Sequence, residues 1–328
     1  MTKQAVLLLA HGTPETIEQI PEYLRNVVSG RPMPQHVIEE IQHRYSLIGR
    51  SPLTDLTREQ GRLVEAELAR AGDRVPVYVG MRNWRPYIPD VVKQMRADGV
   101  EQAAVVCLAP QNSRTSVGLY RRAVQAEAGP LRFDFTDSWA DHPLLADAFA
   151  DRLRAAQGKL SAETGGPVPV LFTAHSVPTR TIQPPAPTED AGPRLWPGEG
   201  ADPYADDARR TAGLVAARVP EIPRWWFAFQ SQGASGGPWI GPTVEETLDA
   251  IAAEGVKNLL LQPIGFLCDH VEILYDVDIA FHDYARNLGI RLERPESLNA
   301  SPTLAAAIAD LARKALARLA EAAPVGRQ

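Results

Sequence analysis

The stretch Val170-Leu171-Phe172-Thr173-Ala174-His175-Ser176-Val177-Pro178 decides the fold class. The apolar run beginning at Val168 is too short for a helix and lacks the alternation of a strand that faces water, so Val168 to Phe172 reads as a strand buried on both faces. His175-Ser176 then supplies polar groups where the strand ends. Six more runs share this character: Val6 to Leu9, Val75 to Val79, Ala103 to Leu108, Leu131 to Phe135, Trp225 to Phe229 and Leu259 to Pro263. Amphipathic segments alternate with them at Glu15 to Val28, Pro34 to Ile48, Leu53 to Ala71, Pro86 to Ala97, His142 to Ala156, Ala205 to Val219, Val244 to Ala253 and Thr303 to Ala320. This order predicts an α/β protein with parallel sheets flanked by helices.

One strand series stops at Phe135 and another starts near Val168, which puts a boundary between residues 140 and 160. Residues 1–150 and 151–328 are therefore expected to form two similar lobes facing across a cleft. Within the second, Thr181 to Asp202 carries five Pro and three Gly with little apolar content and reads as a long irregular loop.

The 328 residues are 45% hydrophobic and 23% charged, which excludes fibrous and largely disordered classes. A net charge of −6 without a Lys/Arg run argues against nucleic acid as a partner, because that affinity comes from phosphate neutralisation. The two cysteines, Cys107 and Cys268, sit far apart in apolar surroundings and read as core thiols. Ala5 to Ala10 is too short for a secretory apolar region or a membrane span, so a cytoplasmic protein is expected.

In parallel α/β folds, sites lie beyond the carboxyl ends of the strands. Four endings are rich in polar groups: His11-Gly12-Thr13-Pro14, Gln111-Asn112-Ser113, His175-Ser176 and Gln230-Ser231-Gln232. Imidazole titrates near neutrality, so His175 and His11 could each move a proton or donate a lone pair to a metal, or simply bond their own loops. A hydrolase reading of His175-Ser176 fails, since the glycine-flanked nucleophile turn is missing. After the last long strand comes Cys268-Asp269-His270-Val271-Glu272-Ile273-Leu274-Tyr275-Asp276. On a regular helix Glu272 and Asp276 differ by about 40° and share one face, where they could bind a divalent cation, relay protons or serve only as a solvated acidic start. Aromatic residues such as Trp84, Tyr120 and Trp239, with Met81, Arg44 and Arg82, suit a flat apolar cleft with cations at its rim. No phosphate-binding glycine loop is present.

Taken together, the chain from Leu7 to Leu316 resembles the ferrochelatases, which insert ferrous iron into a porphyrin. The resemblance is carried by His175-Ser176-Val177-Pro178, by Asp202-Pro203-Tyr204, by Gln230-Ser231 followed by Trp239-Ile240-Gly241-Pro242, and by His270-Val271-Glu272 with Leu274-Tyr275-Asp276. It implies two Rossmann-like lobes of the chelatase type, with His175 and Glu272 catalytic and His175, Glu272 and Asp276 meeting the metal. His175, kept neutral, is expected to accept the pyrrole protons. The resemblance also implies a π-type acidic helix, which would alter the 40° estimate. Thr13, Arg44, Tyr45, Ser51 and Tyr120 resemble positions that meet propionates in enzymes using coproporphyrin III, which makes that porphyrin the expected substrate in haem biosynthesis.

Three departures matter. A third carboxylate is replaced by Ala280, for which Asp278 or His282 could substitute. His11 stands where Tyr, Met or Phe is usual, and is expected to face the porphyrin as an axial iron ligand. No Cys-bearing tail is present, so no iron–sulfur cluster and no cofactor beyond substrate Fe²⁺ is expected, in a monomer. The alternatives are protoporphyrin IX as substrate, a cobalt chelatase of corrinoid synthesis, and a non-catalytic haem-binding protein.

Overall fold

In the computed structural model, which describes residues 2–183, 201–232 and 237–322, the strands form two parallel four-stranded sheets. The first contains β1 (Gln4–Ala10), β2 (Val77–Met81), β3 (Gln102–Cys107) and β4 (Arg132–Thr136) in the order β2-β1-β3-β4. The second contains β5 (Val170–His175), β6 (Trp225–Gln230), β7 (Asn258–Pro263) and β8 (Arg291–Glu293) in the order β6-β5-β7-β8. The orders match, so β1 and β5 hold equivalent places, each opening its sheet in sequence and flanked on both sides.

Helices α1 (Ile20–Val27), α2 (Gln35–Ile48), α3 (Leu53–Arg70), α4 (Ile88–Ala97) and α5 (Val117–Ala128) accompany the first sheet, and α6 (Pro143–Thr164) leads to the second. There follow α7 (Thr179–Ile182), α8 (Tyr204–Ala216), α9 (Val244–Ala253), a π-helix over Glu272–Phe281, α10 (His282–Asn287) and α11 (Pro302–Glu321). No described helix is long and apolar enough to cross a membrane.

The unbroken apolar runs have a direct cause. Successive strand residues point to opposite faces, and here both faces are apolar. On β1, Val6 and Leu8 enter a core shared by the two sheets, while Ala5, Leu7 and Leu9 enter an outer core with Ile88 and Val92 of α4. On β5, Val170, Phe172 and Ala174 join the shared core, and Leu171 joins another outer core with Leu248, Ile273 and Val277.

Two helices fill the space between the sheets. α6 packs on α8 and β7, whereas α11 returns to cover α3, β3 and β4 of the first sheet. Buried alanines at 305, 307, 309, 312 and 315 keep α11 slim enough for that close approach. Residue 150 falls inside α6.

Several elements depart from the sequence expectation, three of them for a clear physical reason. β8 buries only Leu292, too little apolar length to stand out. In α5, Gly118 and the pair Arg121-Arg122 interrupt the apolar stripe. α6 continues past Ala156 to Thr164, where Gly165 at φ 82° caps it. Most of the irregular loop expected at Thr181 to Asp202 lies outside the described residues; at its described ends the Asp202 amide donates to the Ile182 carbonyl at 3.0 Å.

Candidate active site

The carboxyl ends of both sheets open into one cleft of about 480 Å³, in the size range of small-molecule sites. His11, Gly12 and Thr13 follow β1 into its wall, Arg82 follows β2, and Gln111, Ser113 and Thr115 follow β3. From the other lobe come His175 at the end of β5 and the segment from Gly265 to Glu272 after β7. Two glycines make this convergence possible. Gly12 has φ 80°, and a Cβ there would stand 2.9 Å from the Cβ of Trp84. At Gly265 a Cβ would stand 2.9 Å from the Cβ of Ala174, blocking the turn beside His175.

His175 is held from three sides. Its carbonyl accepts from the Tyr204 hydroxyl at 2.8 Å, and its Nδ1–H donates to the Ser176 carbonyl. Nε2 is thereby left 3.3 Å from Glu272 Oε1. The other Glu272 oxygen lies 3.4 Å from His270 Nε2, and His270 Nδ1–H donates to the Cys268 carbonyl at 2.9 Å. Two imidazoles therefore bracket one carboxylate, whose side chain lines the cleft and is 32% exposed.

Burial alone would lower the His175 pKa, but the Glu272 charge, aided by the Ser176 carbonyl and Asp276, pushes it up to about 9. Burial likewise opposes the Glu272 charge, yet His175 and His270 hold that carboxyl well below its usual range. The pair at rest is thus imidazolium and carboxylate. This corrects the expectation that His175 is kept neutral, which overlooked a carboxylate within bonding reach.

The acidic helix is π-type over Glu272–Phe281, with i→i+5 bonding in place of regular α geometry. Ile273, Val277 and Phe281 recur every four residues on its buried side. Glu272 and Asp276 share that spacing but not one environment. Asp276 is 7% exposed and set behind the cleft wall. The Ser231 hydroxyl donates to one of its oxygens, from a residue held at φ 62° in the left-handed region. Arg44 Nη1 reaches the other at 3.2 Å. Burial, with Glu272 nearby, pushes Asp276 up to about 6 against the pull of Ser231 and Arg44.

Beyond Asp276 the acidic row stops. Asp278, one candidate to replace the carboxylate absent at Ala280, is held by Arg294 at 2.6 and 2.8 Å. His282, the other, is exposed beside Asp283 at 3.9 Å. Neither belongs to the cleft wall.

In the first lobe, His11 projects into the cleft. Its Nε2 lies 2.9 Å from the Tyr23 hydroxyl and 3.1 Å from the Asn83 amide nitrogen. Desolvation by the cleft walls around the exposed ring, together with Arg82, lowers its pKa to about 4, which leaves the imidazole neutral. The Thr13 and Tyr45 hydroxyls are 2.8 Å apart, and burial pushes Tyr45 up to about 12. Tyr120 is buried with the Arg82 guanidinium 5.9 Å from its ring centre.

Two residues expected to meet the ligand lie outside the wall. Arg44 is engaged with Asp276 and Glu40, and Ser51 is 1% exposed, its hydroxyl without a hydrogen-bond partner among the described residues. Conversely, Arg31 and Arg180 are not among the residues singled out from sequence, and Ser231 and His270, though inside quoted motifs, were given no role there. His270 was legible as part of its motif, but its grip on Glu272 depends on a turn that the sequence does not show. Arg31 and Arg180 join the wall only through the packing of the lobes.

The family model for ferrochelatase matches residues 3–316. A ferrochelatase of Acidobacterium capsulatum is 63% identical, with 97% of this chain and 96% of that protein aligned. A coproporphyrin III ferrochelatase of Mycolicibacterium vanbaalenii is 35% identical over 95% of this chain and 89% of that protein. Among solved structures, the sirohydrochlorin chelatase SirB from Bacillus subtilis subspecies spizizenii, in complex with cobalt, superposes with a TM-score of 0.55 at 12% identity, covering 95% of each chain. That last likeness establishes a shared fold of two α/β lobes.

Proposed function

Because this chain belongs to the ferrochelatase family and is an enzyme that inserts metal into porphyrin, we propose that it places ferrous iron in coproporphyrin III, with His175 and Glu272 managing the protons. The observation that carries the proton assignment is the bracketed carboxylate: His175 at 3.3 Å and His270 at 3.4 Å from the two oxygens of Glu272, at the cleft between the lobes. Insertion releases two pyrrole N–H protons for each Fe²⁺ taken up. At rest His175 already holds a proton, drawn there by Glu272. A cation approaching Glu272 weakens that attraction, so the proton leaves and the ring becomes a neutral acceptor facing the substrate. His270, on the far oxygen of Glu272, provides the next position for a departing proton. Asp276, one turn further on, extends the acidic row.

The choice of porphyrin rests on the cleft's polar wall. Arg31, Arg82 and Arg180 line it, with the hydroxyls of Thr13, Tyr45 and Tyr120. Four propionates use such a set more fully than two. The relative from Mycolicibacterium vanbaalenii carries coproporphyrin III in its name. Cys107 and Cys268 are buried, which pushes both thiols up to about 12 and suits core packing. The deciding experiment is iron insertion into coproporphyrin III and protoporphyrin IX side by side. A kcat/KM at least about tenfold higher for coproporphyrin is expected; a preference for protoporphyrin would overturn the substrate assignment.

A further inference from the structure

Arg44 stands where a cation is least expected on a route for cations. It extends from α2, and its Nη1 lies 3.2 Å from Asp276, the last carboxylate of the acidic row. Nη2 is bound to Glu40, which is exposed, and the guanidinium sits 5.0 Å from the ring centre of Tyr275. The second Asp276 oxygen is occupied by Ser231. Both oxygens of this buried carboxylate are thus taken, one of them by a full positive charge. The coverage is incomplete in one respect: among the described residues, Arg44 Nε is buried without a hydrogen-bond partner. The next residue on the helix, Tyr45, is part of the cleft wall.

We propose that Arg44 is a lock on Asp276, excluding divalent cations from the acidic row until a carboxylate of the bound porphyrin draws the guanidinium away. This rests on the metal-insertion reading of the cleft. The physical basis is competition for one buried anion. A divalent ion gains little from Asp276 while Arg44 neutralises it, and must displace a charge-assisted hydrogen bond to enter. A propionate offers Arg44 an equivalent partner, including an acceptor for Nε, so that the exchange leaves no charge unpaired. Metal entry then follows porphyrin binding, and the free enzyme is spared occupation by unproductive ions. Arg44 is here a positioning residue, acting through Asp276.

The test is calorimetric titration of Co²⁺ into the porphyrin-free enzyme. Arg44→Gln is expected to bind Co²⁺ about tenfold more tightly than wild type. Adding Asp276→Asn should erase the gain, and Arg44→Lys, which keeps the charge, should stay close to wild type. Coproporphyrin III already loaded with zinc, which carries the same propionates but cannot take up Co²⁺, should on the wild-type enzyme reproduce the affinity of Arg44→Gln. Equal affinities in wild type and Arg44→Gln, a gain that survives Asp276→Asn, or a gain as large with Lys overturns the lock. A gain in Arg44→Gln that the zinc-loaded coproporphyrin fails to reproduce overturns its release by substrate. The porphyrin-free titrations involve no turnover, so their failure is distinct from a wrong choice between coproporphyrin and protoporphyrin.

Discussion

His11 and His175 occupy equivalent places in the two sheets. Each stands at the carboxyl end of the strand that opens its sheet, each faces the cleft, and the flanking strands are ordered alike. Their chemistry is nonetheless opposite. His11, bonded to a tyrosine hydroxyl and an amide with Arg82 nearby, has its pKa held down to about 4. His175, opposed by Glu272, is pushed up to about 9. One ring is neutral at neutral pH, its nitrogens engaged by Tyr23 and Asn83; the other keeps a proton. Topology thus supplies two imidazoles at matched positions, and their surroundings set opposite charge states: Glu272 holds a proton on His175, while desolvation and Arg82 keep one off His11.

Removing the proton-handling side should break the contrast most severely. His175→Ala is expected to lower steady-state iron insertion by roughly 10²–10⁴-fold while porphyrin binding, followed by fluorescence, stays measurable. Near-normal turnover in a folded variant would end the assignment. Glu272→Gln comes next. It should cut kcat by about 100-fold, and NMR titration should find the His175 pKa well below its wild-type value, since the opposing charge is gone. Asp276→Asn, set behind the wall, should lower turnover only severalfold. Equal and negligible losses for the two would mean that the acidic row is merely structural.

The smallest effect on insertion is expected on the other side of the cleft. His11→Ala should leave the chemical step nearly intact but change the iron coordination of the product complex, read by electronic absorption and resonance Raman spectroscopy. Product release should be faster in the variant. Unchanged spectra would show that His11 only bonds its own loop, and the contrast between the lobes would then lie in protonation alone.

The strands were legible because burial on both faces leaves an unbroken apolar run, and seven were placed within two residues of an end or a start. β8 escaped because a three-residue strand with one buried side chain has no pattern to read. His175 and Glu272 could be found as capable groups at strand and helix ends. Their mutual charge state could not, because it depends on a 3.3 Å approach between segments almost a hundred residues apart. Arg44 shows the same limit from the other side. A cation beside a tyrosine that resembles a propionate contact reads as a ligand contact, and only the packing of α2 against the π-helix reveals its engagement with Asp276.

The return of α11 to the first sheet bears on how the protein is made. Val64, Leu68, Ala104 and Val106 belong to the core that α11 completes. During synthesis, β1 through β4 emerge well before this helix, and the entire second sheet must be translated before their inner face can be closed. Until then a nascent first lobe presents apolar surface of the kind that chaperones shield and that favours aggregation.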